Sequence, residues 1–196
     1  MAAKKRAYEQ RERARRTAET RQRIVEATVA LHEEVGPAKT TVAEIARRAG
    51  VTRLTVYTHF PEDRDLFAAC SRHFMAGHPP PDPTPWTEIA DPSERLRRAL
   101  RDLHTWFESG EAMFANVERD RTVLPALAEV RDRGRAPFDA AVRDILAAGL
   151  GRSKRLRATI GLATSFGAWR QLVRTERLSP RDAVEVLAGA VEAAAA

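Results

Sequence analysis

Apolar residues recur at intervals of three and four along almost the whole chain, and hardly any segment alternates with a period of two. A chain with that rhythm buries itself by packing helix on helix, so the expected fold class is all-α. The punctuation between the stripes predicts where helices end. The first carries Ile24, Ala27, Leu31 and Val35 on one stripe and stops near Gly36-Pro37. Its N-terminal part has good helix formers but no apolar face, and is expected to fray unless a partner holds it. Thr41 is a candidate N-cap for the next helix, with Glu44 three residues on, placed to return its carboxylate to the cap amide. Gly50 ends that helix. Thr52 caps the following one, which Pro61 terminates. A fourth, from about Asp63 to Ala76, is expected to bury Leu66, Phe67, Cys70 and Phe74.

The stretch HPPPDPTPW at 78–86 holds five of the eleven prolines and reads as an extended, non-helical linker. Asp91-Pro92-Ser93-Glu94 restarts helix with a capping aspartate, proline in the first turn and glutamate at the third position. That helix runs toward Glu108. Others are expected from about Glu111, from about Thr122 to Leu150 with Gly134 and Pro137 as points of kinking or splitting, from about Ser153 to Arg177, and from Ser179-Pro180 to a fraying AVEAAAA tail. No internal repeat is visible.

With 196 residues, 43% of them hydrophobic, the chain is long enough for a real core. No window approaches the roughly eighteen uninterrupted apolar residues of a membrane span, and the N-terminus lacks the apolar stretch of a secretory signal, so a soluble, cytoplasmic protein is expected. A single cysteine, Cys70, leaves no intramolecular disulfide and no cysteine metal cluster, and reads as a small buried residue. Charge is distributed unevenly. Residues 1–23 contain nine basic and three acidic residues, a net +6 that equals the net charge of the whole chain, so the remainder is neutral. A cationic arm on a neutral body is the electrostatic footprint of a polyanion binder, because each phosphate contact releases condensed counterions.

Val42, Ile45, Ala46, Gly50, Val51 and Val56 form a set suited to a helix-turn-helix. Two short helices crossing steeply need a small residue at the contact (Ala46), a turn residue that accepts positive φ (Gly50) and apolar residues behind the second helix (Val51, Val56). The second helix then displays Arg53, Leu54, Thr55, Tyr57, Thr58 and His59. A guanidinium for guanine, hydroxyls for phosphates or bases and an aliphatic group for a thymine methyl suit a major groove.

The longer segment TVAEIARRAGVTRLTVYTHFPEDRDLF resembles the N-terminal domain of the TetR family of bacterial transcriptional regulators, through Thr41, Ala46, Gly50-Val51-Thr52, Tyr57, His59-Phe60-Pro61 and Leu66. The resemblance covers roughly residues 20–70. It implies a three-helix DNA-binding domain over 20–66 and a C-terminal helical bundle for ligand binding and dimerisation over 67–196, and the charge count leaves 1–19 as a basic N-terminal arm. It also implies that Arg53, Leu54, Thr55 and Thr58 face base edges while Thr41, Thr52, Tyr57 and His59 mostly hold phosphates. Packing of the Tyr57 ring against the first helix, and a capping or packing role for His59, are the alternatives. Two residues depart from the family pattern: Leu54 stands where many members have glycine, and Asp63 where many have a phosphate-binding lysine, leaving Arg64 as a substitute. The basic arm is longer than the family needs, and could extend the first helix along the DNA backbone or place arginines in a minor groove.

The family resemblance implies a homodimer through the last two helices. The stripe Leu156, Ile160, Ala163, Gly167 and Gln171, matched by Val184, Leu187, Ala188 and Val191, is the candidate contact, with an intrachain core as the alternative. Two-fold symmetry then implies a pseudo-palindromic operator. His104, Trp106, Phe107, Met113, Phe114, Phe138, Phe166 and Trp169 are the candidate ligand-pocket residues, with Asn116, Thr164 and Arg170 as further polar groups; plain core is the alternative. The expected function is a DNA-binding transcriptional regulator, a repressor released from its operator by a small molecule, the alternative being an inducer-independent activator or nucleoid-associated protein. No enzymatic activity, metal or cofactor is expected: His73 and His78 are five apart, Ser165 lacks a glycine elbow, and there is no GxxxxGK loop.

Overall fold

The computed structural model describes residues 2–196 and the side chains from Lys5 onward; Lys4, one of the arm's nine bases, falls outside the described side chains. Among the described residues every regular element is helical, as the periodicity predicts. Helix α1 (Ala2–Glu34) is continuous over 33 residues, about 50 Å at 1.5 Å per residue. Its basic half is helical without any buried face, contrary to the expected fraying. Arg15 pairs with Glu12 at 2.7 Å and Glu19 at 2.8 Å, and Arg16 with Glu12 at 3.1 Å, the neighbour spacing at which helices support themselves. Val35 lies beyond the helix end and is exposed rather than continuing the stripe.

The chain packs as two units, the first formed by residues 1–77 with 115–131 and the second by 78–114 with 132–196. In the first, α1 is followed by a 3₁₀ turn (Pro37–Lys39), α2 (Val42–Ala49), α3 (Arg53–His59) and α4 (Asp63–Gly77). Ile24, Leu31, Ile45, Ala46, Val56, Phe60, Leu66 and Phe74 fill its core. Cys70 is buried there and its thiol is pushed up to about 12 by desolvation, the inert role expected of it.

Helix α7 (Glu111–Asp120) ends in this unit and caps the C-terminus of α1. Those last carbonyls have no intrahelical partners. The Asn116 amide donates to the carbonyls of His32 and Glu33 at 2.8 and 2.9 Å, and Arg119 donates to that of Val35 at 3.1 Å. The buried Asp120 carboxylate accepts from Arg119 Nε at 2.6 Å and from the Ala38 amide at 2.9 Å. Burial pushes the Asp120 carboxyl up, but these hydrogen bonds outweigh it and hold it below the usual carboxylate range. Asn116 is thereby committed to α1 and does not line a ligand site.

The second unit contains α5 (Thr84–Thr87), α6 (Pro92–Ser109), the start of α7, most of α8 (Pro125–Ala147), α9 (Lys154–Ala163), α10 (Phe166–Arg170), a π turn (Gln171–Thr175) and α11 (Pro180–Ala195). The expected proline linker is not wholly extended: Thr84–Thr87 forms a helical turn because Trp86 is fully buried and its indole N–H donates to Asp102 at 2.8 Å. Gly134 and Pro137 do not split α8; both are exposed, where solvent meets the carbonyl that proline leaves without an amide. The helix expected over 153–177 is broken at Thr164-Ser165. There the hydroxyls donate back to the carbonyls of Ile160 and Leu162, and Ser165 in extended conformation caps α10 through the Ala168 amide. The chain leaves the π turn through Arg177 at φ 57, the left-handed region. The C-terminal tail does not fray but remains helical to Ala195.

The stripes assigned to dimer contact are used inside the chain. Leu156, Ile160 and Ala163 of α9 and Val184, Leu187, Ala188 and Val191 of α11 are all buried within the single chain, against each other and α6, while Gly167 and Gln171 are exposed. The buried stripe of such a helix faces its own core first.

Candidate functional site

Between α2 and α3 the chain turns tightly. The Thr41 hydroxyl caps α2 by accepting from the Glu44 amide. The Glu44 carboxylate does not return to the cap; Arg47, one turn on, takes it and holds it below the usual carboxylate range. Gly50 adopts φ 65, ψ 41 and donates to the carbonyls of Ala46 and Arg47, and the Val51 amide reaches Ala46 O at 3.0 Å. This is a left-handed helix cap that only glycine takes without cost. Thr52 then caps α3 by accepting from the Thr55 amide at 3.1 Å.

Burial orients α3. Val56 is 1% exposed and fixes the inner face, whereas Leu54 and Tyr57 are 75% and 53% exposed. Arg53 and Thr58 share that outer face, and Thr55 and His59 are half-buried at its border. The structure thus brings Thr52, Arg53, Leu54, Thr55, Tyr57, Thr58 and His59 together on one short helix and its cap, with Thr41 exposed at the start of α2. The Thr58 hydroxyl donates to the Leu54 carbonyl at 2.8 Å, leaving its lone pairs as acceptors. No carboxylate pairs with Arg53 among the described residues. Arg64, the substitute for the absent lysine, leans toward Glu129 at 3.7 Å, and Asp63 opens α4 in the exposed first turn.

Two cationic contacts brace this head. Arg21 of α1 stacks over the Phe60 ring at 4.2 Å, and Arg48 of α2 forms a bidentate pair with Glu34 at 2.6 and 2.8 Å. Together they set the angle of α1 against the helix-turn-helix.

In the second unit six of the eight candidate ligand residues form one aromatic network. Trp106 meets Phe107, Phe114 and Phe138 with ring centroids 5.4, 4.9 and 6.1 Å away. Phe107 in turn meets Phe166 at 5.6 Å and Trp169 at 5.9 Å. Met113 and His104 are buried. Neither ring nitrogen of His104 has a protein hydrogen-bond partner among the described residues, and desolvation lowers its pKa to about 4, so the ring is neutral. Of the further polar groups, Thr164 is spent on the α9 terminus and Arg170 points to solvent. Sequence reasoning missed Arg135, whose guanidinium lies 4.5 Å over Trp106 and 5.3 Å from Phe138 while its Nε donates to Asp139. It also missed Arg95, buried and donating to the carbonyls of Ile89, Ala90, Ile145 and Ala148. No signal in the chain marks either arginine among so many.

The sequence pattern described as "Bacterial regulatory proteins, tetR family" matches residues 24–70, from the buried half of α1 to the middle of α4. The match places these residues in the likeness of the TetR family's N-terminal domain. Over 50 residues it is 44% identical to the HTH-type transcriptional regulator AcrR of Shigella flexneri, a match covering 26% of this chain and 23% of that one. The chain spans 23% and 46% of the lengths of the first two curated relatives it matches. Likeness of fold reaches further. A crystal structure described as a TetR-family regulator from Rhodococcus sp. superposes with a TM-score of 0.62 at 20% identity, covering 91% of this chain and all of the other. The multidrug binding protein EbrR complexed with imidazole does so at 0.58 and 24%, covering 87% and 93%. The fold, and the TetR likeness of residues 24–70, match the sequence-based expectation. No group of three metal-ligating side chains occurs among the described residues, and no described helix is long and apolar enough to cross a membrane.

Proposed function

We propose that this TetR-family protein is a homodimeric, cytoplasmic transcriptional regulator that places α3 in the major groove of a pseudo-palindromic operator, and a repressor that leaves it when a small molecule enters the C-terminal bundle. The observation that carries the DNA-binding reading is the outer face of α3: Arg53, Leu54, Tyr57 and Thr58 are open to solvent on a helix whose inner face is closed by Val56. An exposed leucine and tyrosine on a seven-residue helix cost solvation unless a partner covers them. In this reading residues 20–66 read the operator and 67–196 bind ligand and dimerise. Leu54, in place of the family's glycine, reaches for a thymine methyl, and Tyr57 and His59 fix the docking angle on phosphates.

His104 and the aromatic network support an effector that is flat, apolar and uncharged, with one hydrogen-bonding group for the neutral imidazole. A tenfold loss of operator affinity needs a coupling of only about 1.4 kcal/mol between the two sites. Direct ring-to-ring contact through the network also fits an inducer-independent activator or nucleoid-associated protein; thermal-shift screening against aromatic amides and phenols separates the two. For the head, gel shifts on operator recovered by genomic footprinting give the test. Tyr57→Ala and Thr55→Ala each weaken binding by about tenfold or more, equivalent to about 1.4 kcal/mol. Full affinity in both variants would remove α3 from the interface.

A further inference from the structure

Helix α1 extends far beyond what the head's core requires. From Ile24 onward it is buried against α2 and α4, while the described side chains from Lys5 to Glu19 are exposed apart from Glu12. Residues 1–19 contain seven basic and three acidic residues, a net +4 of the chain's +6. This free half also forms one wall of a groove of about 490 Å³ whose other wall is the recognition helix: Tyr8, Arg13, Arg16 and Thr20 face Thr55 and His59 across it. Glu9 and Glu12 line the groove as well, but the Glu12 carboxylate is held by Arg15 and Arg16 and kept at about 2 by those hydrogen bonds. Arg13 has no carboxylate partner among the described residues.

Two uses of a basic arm were open from sequence, a minor-groove insertion and a rail along the backbone. The helical state decides between them. A helix with side chains is about 10–12 Å across, and the minor groove of B-DNA is about 6 Å wide, so this arm does not thread it. With α3 in the major groove, the strand bordering that groove passes α3 on the side where Thr55 and His59 lie. The arm stands beyond it. We propose that this groove is the seat of one DNA strand: the sugar–phosphate backbone runs between α1 and α3, with Arg13 and Arg16 on its phosphates and the hydroxyls of Tyr8, Thr20 and Thr55 as further donors. The Arg21–Phe60 stack and the Arg48–Glu34 pair hold the two walls at a fixed angle, so the head grips the strand from both sides. This inference rests on the reading of α3 as a DNA reader and adds a second wall to it.

The test measures the full chain's operator affinity as a function of potassium chloride concentration. Each lost phosphate contact makes the slope of log affinity against log salt shallower by about 0.9. Arg13→Ala with Arg16→Ala is expected to reduce the slope by about 1.8 and to weaken binding about tenfold or more at 0.15 M salt, with the same base preference at every operator position. Ala14→Pro keeps every charge but breaks the rod, and is expected to weaken binding comparably. A double variant equal to wild type in slope and affinity overturns the proposal, as does an Ala14→Pro variant that binds normally, since a flexible polycation then suffices. If Tyr57→Ala weakens binding while the arm variants do not, the head reading stands and this one alone fails; if the wild type prefers no duplex at all, both fail. An unchanged DNA slope with lost binding to phosphatidylglycerol vesicles would assign the arm to an anionic membrane surface instead.

Discussion

Two glycines with positive φ show how differently the same backbone requirement is enforced. At Gly50 a Cβ would meet open space, so the only cost of a side chain is the left-handed backbone itself, about 1–2 kcal/mol. At Gly36, φ 93, a Cβ would also run into the Arg119 guanidinium and the Asp120 carboxylate that cap α1. Gly36→Ala is therefore expected to lower unfolding free energy by at least about 2 kcal/mol more than Gly50→Ala, since it disturbs the half-exposed Arg119 that pairs with the buried Asp120 carboxylate as well as straining the chain. Urea denaturation of the two variants checks the difference. Gly50 was legible in sequence because its neighbours are local: a helix before, a capping threonine after. The demand on Gly36 was only half legible, since Arg119 and Asp120 lie more than eighty residues away and nothing in the local pattern announces them.

The same divide runs through the elements. Caps at Thr41, Thr52 and Asp91 were readable because a cap and its amide are three residues apart, and the helix starts read at Ser153 and Ser179 prove to be capped in the same way. The turn at Thr84–Thr87 was not, because it exists to bury Trp86 against α6, a tertiary demand that overrides proline content. The division of α9 from α10 was written in the threonine-serine pair but masked by an apolar stripe that continues past it. That stripe also misdirected the expected dimer contact inward. What α9 and α11 leave outside is Leu162, 65% exposed, and Val186, 51% exposed. If these helices form the subunit contact, Leu162→Glu with Val186→Glu shifts the protein from dimer to monomer in sedimentation velocity, raising the dissociation constant about a hundredfold or more while helicity is kept, because two carboxylates must then be desolvated at the interface. Val184→Glu, by contrast, is expected to unfold the second unit. A dimer that survives the outer pair of substitutions would place the contact elsewhere.

Across the whole molecule each unit keeps one neutral histidine in its interior. Desolvation lowers His32 to about 4, with Asp120 opposing, and lowers His104 to about 4. Because the unfolded chain binds these protons near pH 6.5, the stability each neutral ring contributes is fully present above that pH and is lost as pH falls toward 4. Each site withdraws up to about 3 kcal/mol over that window. Melting at pH 7.5 and 4.5 should show both units weakened, and His104→Phe should flatten the loss in the second unit only. Neither burial was readable from sequence: the five histidines look alike until the packing is known.

The α7 cap has a further consequence for anyone recombining such regulators. The motif boundary near residue 66 and the last residue of α4 both look like natural places to join this reader to a foreign effector module. A chimera cut at either point would inherit the recognition surface but leave behind Asn116, Arg119 and Asp120, and with them the groups that satisfy the carbonyls of His32, Glu33 and Val35. Transplantation of this head is a two-segment operation, in which residues 115–131 must travel with residues 1–77 or be replaced by a host helix bearing the same three side chains.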